Sequence, residues 1–151
     1  MSLANKYEFR VEQLAESLED VKPLLAENHA ETGVYNLPFN PDYERLLFLE
    51  QHGDLKLFVI RHDTEAVGVA IFYLDQEIYQ KELWSATQAT NFVTKKHRGI
   101  GLAFMKFCDD ILSEQGVNSI WRQSTTRLEI SKIYERMGYA SVEKSYLKRI
   151  F

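Results

Sequence analysis

The stretch from which the fold follows is Val93–Lys106, Val-Thr-Lys-Lys-His-Arg-Gly-Ile-Gly-Leu-Ala-Phe-Met-Lys. It ends an apolar, β-branched run (Asn91 to Thr94), crosses the basic residues Lys95, Lys96 and Arg98 and a Gly-x-Gly, and opens an amphipathic pattern. Phe104, Phe107, Cys108 and Ile111 recur at helical spacing, Asp109, Asp110, Ser113 and Glu114 take the outer face, and Gly116 supplies a stop. A strand, a tight turn and a helix N-terminus therefore follow one another. The free N–H groups of a first helical turn, helped by the helix dipole, favour a bound anion. Gly99 and Gly101 lack a Cβ, so a ligand can approach the backbone there. The turn reads as a site for a pyrophosphate. Lys95, Lys96 and His97 would add positive charge to it, although a solvated basic turn would look the same.

The rest of the chain sets limits on this reading. With 151 residues, one domain spanning 1–151 is expected, long enough to bury a real core. The 45% apolar and 26% charged residues are ordinary for a globular protein and exclude a disordered chain. A net charge of −4 offers no basic excess to draw in nucleic acid. Cys108 is the single cysteine, which excludes an internal disulfide and a cysteine-based zinc site and suits a reducing compartment. His29, His52 and His62 show no metal-ligand spacing, so no metal is expected. No apolar run approaches a bilayer span, and Met1–Arg10 lacks a signal-peptide core, so a soluble, cytoplasmic protein without membrane partners is expected.

In chain order, Tyr7–Val11 alternates as a strand does. Asp20 is suited to cap a helix running to about Glu31, with Pro23 in its first turn and Gly33 at its end. A loop carrying Tyr35 and Phe39 leads to Asn40-Pro41, read as N-cap and first residue of a second helix that Gly53 closes, with Tyr43, Leu46, Leu47 and Leu49 on its apolar face. Leu55–Arg61 and Ala66–Leu74 form a hairpin. Glu77–Thr94, rich in Tyr, Trp, Thr and Val, reads as one long strand bulged near Ser85. Ser119–Gln123 is a short strand, and Thr126–Glu129 has the form of a capping box for a helix that Gly138 ends. Tyr139–Val142 and Tyr146–Ile150 complete the pattern as two strands. The class is α+β, with a mostly antiparallel front half and a strand–helix–strand crossover at its centre.

These residues resemble the GCN5-related N-acetyltransferase superfamily over nearly the whole chain. The family's cofactor motif is Arg or Gln, two residues, Gly, one residue, then Gly or Ala, and Arg98-Gly99-Ile100-Gly101-Leu102-Ala103 carries it without a mismatch. Val93 stands at the usual valine, His97 puts a ring before the arginine, and Tyr134 to Tyr139 resembles the family's later tyrosine, Gly, aromatic signature. Two positions depart: Lys95 replaces a common proline, and Arg127 stands where an asparagine often helps place the pantetheine arm. The resemblance implies a three-layer α/β/α domain. Its central sheet would be mixed and mostly antiparallel, with about six or seven strands and about four helices.

The resemblance also implies a chemistry. Acetyl-CoA would be the cosubstrate, with its pyrophosphate on the backbone N–H groups of Arg98, Gly99, Ile100, Gly101, Leu102 and Ala103. The end of the fourth strand, Phe92 and Val93, would pair with pantetheine and polarise the thioester carbonyl, the kind of stabilisation that contributes most to acyl transfer. Tyr134 is the expected acid for the departing thiolate, a thiol near ~8.5 and a phenol near ~10 being close enough for proton transfer. As one of Ile130, Ile133, Tyr134 and Met137 at helical spacing, it also suits a core. Of the opposite-parity carboxylates Glu77 and Glu82, Glu82 is the expected base, being nearer the turn. Tyr35, Tyr79 and Trp84, with Phe39, are the expected acceptor-side residues. The function implied is direct acetyl transfer to a primary amine of a small molecule or protein, the acidic balance mildly suiting a cationic acceptor. The competing reading is a non-catalytic CoA-binding or interaction module on the same fold. Homodimers are common in families of this kind.

Overall fold

A computed structural model describes residues 6–126 and 129–151. Five strands lie in the order β1-β2-β3-β4-β5: β1 (Tyr7–Glu12), β2 (Leu55–His62), β3 (Glu65–Gln76), β4 (Trp84–Val93) and β5 (Ser119–Trp121). The first four pair antiparallel, and β5 lies parallel to β4. Helices α1 (Leu14–Thr32) and α2 (Tyr43–Gln51) cover one face, and α3 (Gly101–Glu114) covers the other; α4 (Ser131–Arg136) follows β5. The alternation of β2 builds both layers of core at once. Leu55, Leu57 and Val59 pack with Leu14, Val21, Leu24 and Leu25 of α1, while Phe58 and Ile60 pack with Phe104, Cys108 and Leu112 of α3. The three-layer domain with a mixed, mostly antiparallel sheet is present, and so is the central crossover. Among the described residues the strand count is five rather than six or seven.

Several boundaries differ from the sequence reading, each for a local reason. Helix α1 starts at Leu14, not after Asp20, and Pro23 lies inside it. Its first N–H groups are capped from another helix: the Glu50 carboxylate accepts from the N–H of Leu14 (2.5 Å) and of Ala15 (3.1 Å). Asp42, rather than Asn40, caps α2 by accepting from the N–H of Arg45 at 3.0 Å. Asp63 and Thr64 both adopt positive φ (51° and 85°) and turn the β2–β3 hairpin, the handedness that matches strand twist.

The long strand read over Glu77–Thr94 is two pieces. β3 runs to Gln76, and the chain then turns, with the Glu77 N–H donating to the Leu83 carbonyl (2.9 Å) and the Leu83 N–H to the Gln80 carbonyl (2.8 Å). Glu77, Tyr79 and Glu82 thus lie in the β3–β4 loop. The bulge is at Ala89 rather than Ser85, since Ile71 pairs with Thr90 and Phe72 with Gln88. The expected last two strands are absent: residues 139–151 form no ladder, and 140–151 are exposed. Arg149 instead donates to the Val34 carbonyl and the Phe151 ring lies 6.1 Å from Tyr35, beside the α1–α2 loop. Helix α4 begins at Ser131, later than the expected capping box, two of whose residues, Arg127 and Leu128, lie outside the described residues. Glu129 accepts from the Ser131 N–H at 2.9 Å and takes the capping role.

Candidate active site

The bulge at Ala89 organises the site. An extra residue in one strand reverses which face later side chains take. Before it, Ala86 packs on the α3 side; after it, Phe92, of the same parity, packs on the α1 side. Pairing between β4 and β5 stops at Thr87 with Trp121, so β4 runs on through Val93 with no strand beside it among the described residues. The Thr94 N–H donates to the Val67 carbonyl (2.9 Å). Antiparallel alternation then directs the backbone groups of Phe92 to β3 and those of Asn91 and Val93 into the gap. Buried in the same region, Asn91 Oδ1 and Thr94 Oγ1 have no hydrogen-bond partner.

At the end of β4, Lys95–Ile100 forms a 3₁₀ turn that runs directly into α3, whose N-terminus has no side-chain cap. A Cβ at Gly99 would meet nothing within 4 Å, and one at Gly101 only Val93 Cγ2 at 3.9 Å, so the ground above the turn is open. The Arg98 side chain anchors the turn. Its Nε donates to the Val93 carbonyl at 2.9 Å, and its Nη2 donates to both carboxylate oxygens of Glu31 in α1 at 2.6 and 2.7 Å. His97 is held by Tyr7, whose hydroxyl is 2.7 Å from Nδ1. These side chains hold the backbone of the turn.

Tyr134 reaches the mouth of the gap from the other side. Its hydroxyl donates to the Gln123 carbonyl at 2.8 Å, and the side chain of Gln88, the last residue before the bulge, acts to favour its phenolate. Burial pushes its phenol above the ordinary range; the Arg122 charge and the Gln88 side chain pull it down, and Asp109 and Glu129 push it up. Behind Gln88 stands a buried network that the sequence did not announce. The Arg122 side chain, with no exposed surface, donates to Asp109 (2.7 Å), Gln88 Oε1 (2.8 Å) and the Tyr139 hydroxyl (3.0 Å), and its guanidinium lies 5.1 Å from the Phe72 ring centroid. The Tyr139 hydroxyl donates in turn to Asp109 at 2.8 Å. Asp109, expected to face outward, is the counter-ion of a buried arginine.

Across β4, on the α1 side, a cavity of about 330 Å³ opens onto the bulge residues Ala89 and Thr90. Tyr35, Phe39, Tyr73, Leu46 and Ile71 form much of its wall, and His29 of α1 enters it. The His29 ring lies 5.3 Å from that of Phe39 and is packed against Gly33, where a Cβ would come within 3.0 Å of it. Of the expected acceptor residues, Tyr35 and Phe39 line this cavity. Tyr79, almost wholly exposed in the β3–β4 loop, and Trp84, at the far end of β4, do not. Glu82 is exposed in the same loop, separated from the cofactor turn by the length of β4, roughly 30 Å. Cys108 is fully buried and its thiol is pushed up by burial, so it is a core residue. Among the described residues, no cluster of His, Cys, Asp or Glu suits a metal ion, and no helix is long and apolar enough to cross a membrane.

Gln88, Arg122, Asp109 and His29 are the site residues that sequence reasoning missed. Helical spacing put Asp109 on the outer face, and His29 was considered only for metal spacing.

This architecture, a five-stranded sheet splayed between β4 and β5 over a glycine turn and helix, is the fold of the GCN5-related N-acetyltransferases. Among solved structures, the chain is similar to a ribosomal-protein-alanine N-acetyltransferase from Brucella melitensis biovar Abortus 2308 (22% identity, TM-score 0.71, covering 96% of this chain and 99% of that one). It is similar to an aminoglycoside acetyltransferase from an uncultured soil metagenomic sample, in complex with sisomicin (16%, TM-score 0.74, 99% and 98%). It is also similar to glucosamine-6-phosphate N-acetyltransferase from Arabidopsis thaliana (13%, TM-score 0.72, 96% and 99%). No family model and no curated protein matches the chain.

Proposed function

We propose that this chain is an acetyl-CoA-dependent N-acetyltransferase that transfers the acetyl group directly to a primary amine. The observation that carries the reading is the placement of the Tyr134 hydroxyl at the β4–β5 gap, with a cavity on the opposite side of the same bulge. Backbone N–H groups between Arg98 and Ala103 would hold the pyrophosphate. Asn91 and Val93 would present backbone groups to the pantetheine arm; Phe92, turned to β3, would support them from the ladder. The orphaned Asn91 Oδ1 fits this role, since an amide N–H laid along β4 would give it a donor.

Bound acetyl-CoA supplies an acyl carbon and a thiolate leaving group. As the amine nitrogen forms its bond to that carbon, the carbon–sulfur bond breaks, the amine releases one proton, and Tyr134 gives its proton to the sulfur. At ordinary values of ~10 for a phenol and ~8.5 for a thiol, this transfer is uphill by about 2 kcal/mol. Burial of the phenol adds to that cost, and the Arg122 charge and the Gln88 side chain, which favour the phenolate, offset part of it. No acyl-enzyme is required, the one cysteine being buried. That cysteine usage also suits a reducing, cytoplasmic setting.

The test is release of free CoA from acetyl-CoA with an amine panel. Tyr134→Phe is expected to lower turnover by about 100-fold or more while changing acetyl-CoA affinity little. Equal losses in both, or none, would refute the acid role. Tight acetyl-CoA binding with no transfer to any amine would favour the non-catalytic module instead.

A further inference from the structure

We infer that the acceptor is a primary amine carried on an aromatic or apolar skeleton, seated in the cavity beside Ala89, with His29 accepting the proton it releases. This rests on the acetyl-transfer reading and adds to it the substrate class and the base.

The chemistry of the wall selects the skeleton. Tyr35, Phe39, Tyr73, Leu46 and Ile71 present rings and aliphatic surface, and no carboxylate, lysine or arginine lines the cavity. At its edge Arg149 is bound to the Val34 carbonyl, and Asp42, next to the lining residue Pro41, belongs with Arg45 to the adjoining groove. A polycation would have to bury ammonium groups without counter-ions, which is costly. Asp42, Asp54 and Asp75 line the neighbouring groove, which shares Pro41, Leu46 and Tyr73 with this cavity, and none of the three lines the cavity itself. An aromatic ring on a short chain fills the space and leaves one nitrogen to reach the bulge.

His29 is the one titratable side chain other than tyrosine in the wall, and its ring lies beside that of Phe39 at 5.3 Å. Imidazole is the side chain best matched to moving a proton near neutral pH. Gly33 is what lets the ring fold against the end of α1 and face the cavity. In the balanced step, the nitrogen that bonds to the acyl carbon gives its proton to His29, and Tyr134 protonates the sulfur on the other side of β4.

The probes are 2-phenylethylamine, spermidine, kanamycin and glucosamine 6-phosphate. 2-Phenylethylamine is expected to exceed the other three in kcat/KM by at least about 100-fold. Tyr35→Ala and Phe39→Ala remove exposed rings that the fold does not need, and each is expected to weaken binding of 2-phenylethylamine to the protein alone by about tenfold. Preference for spermidine or kanamycin, or equal use of all four, would overturn the assignment while leaving acetyl transfer standing. Binding without acetyl-CoA keeps the two readings separable: saturable 2-phenylethylamine binding lost in Phe39→Ala supports the pocket even if transfer fails, and no binding overturns it. His29→Gln is expected to lower kcat about 100-fold with acceptor KM little changed, and added imidazole to restore part of the rate. A raised KM at unchanged kcat would make His29 a wall residue only.

Discussion

Replacing Arg122 by Met tests the buried network and its link to Tyr134 together. The guanidinium is fully enclosed and donates to Asp109, Gln88 and Tyr139. Removing one partner of a buried ion pair costs about 3–5 kcal/mol. Asp109 keeps the Tyr139 hydrogen bond, and its side chain is 21% exposed, so some of its charge can be rehydrated and the lower end applies, about 3 kcal/mol. For a domain of this size that corresponds to a fall in Tm of roughly 6–12 °C. With a typical stability of about 5–15 kcal/mol, the variant stays folded at 25 °C and its kinetics can be measured. Urea unfolding of wild type, Arg122→Met, Asp109→Leu and the double variant gives the coupling, and the double variant is expected to recover most of the loss. In acetyl transfer, Arg122→Met is expected to lower kcat in the wild-type background and to have little further effect in the Tyr134→Phe background, because its charge acts through that phenol. A stable Arg122→Met, or full additivity with Tyr134→Phe, would refute the reasoning.

Three further outcomes follow from separate parts of the structure. Gly101 has ordinary helical dihedrals and open space at its Cβ, so Gly101→Glu is expected to leave Tm unchanged while lowering acetyl-CoA affinity by about tenfold or more in calorimetry, through charge repulsion at the helix N-terminus. Glu50→Ala removes the acceptor for the first N–H groups of α1 and is expected to cost about 1–2 kcal/mol in urea unfolding. Glu12 is held below the ordinary carboxylate range by hydrogen bonds from Arg61, against burial. Its contribution is therefore present above about pH 4.3, the ordinary glutamate value, and is lost as pH falls through the lower folded value. Glu12→Gln is expected to lower Tm at pH 7 and to flatten its fall toward pH 3.

The glycine turn into α3 and the three layers were legible because each rests on local pattern. The Arg98-to-Ala103 motif, the helical spacing of Phe104, Phe107, Cys108 and Ile111, and the hairpin of β2 and β3 all depend on residues close in sequence. Cross-chain features were not legible. Pro23 argued for a late start to α1, and what overrode it was burial of Leu14 and a cap from Glu50, thirty-six positions away. Glu77–Leu83 had strand-like composition and turned out to be a loop, because no neighbouring strand extends far enough to pair it. Residues 139–151 were read as two strands and yet form no ladder, with 140–151 exposed. Arg122 looked like any surface arginine, since its partners come from β4, α3 and the chain after α4.

The bulge explains why the two halves of the proposed chemistry face each other across one strand. In a regular β4, side chains two apart would share a face, and Gln88 and Thr90 would both point toward α3. The extra residue at Ala89 separates them: Gln88 meets Arg122 and Tyr134 on the α3 side, and Ala89 and Thr90 open into the cavity on the α1 side. The β4–β5 pairing ends just before this point, so Asn91 and Val93 have no neighbouring strand on their outward side, and the Val93 carbonyl takes Arg98 instead. One inserted residue thus sets the proposed acid on one face, the proposed acceptor cavity on the other and a strand edge without a neighbouring strand between them. A bulge displaced to Ser85 would have put its break inside the paired part of β4 and left the edge beside Tyr134 without that division.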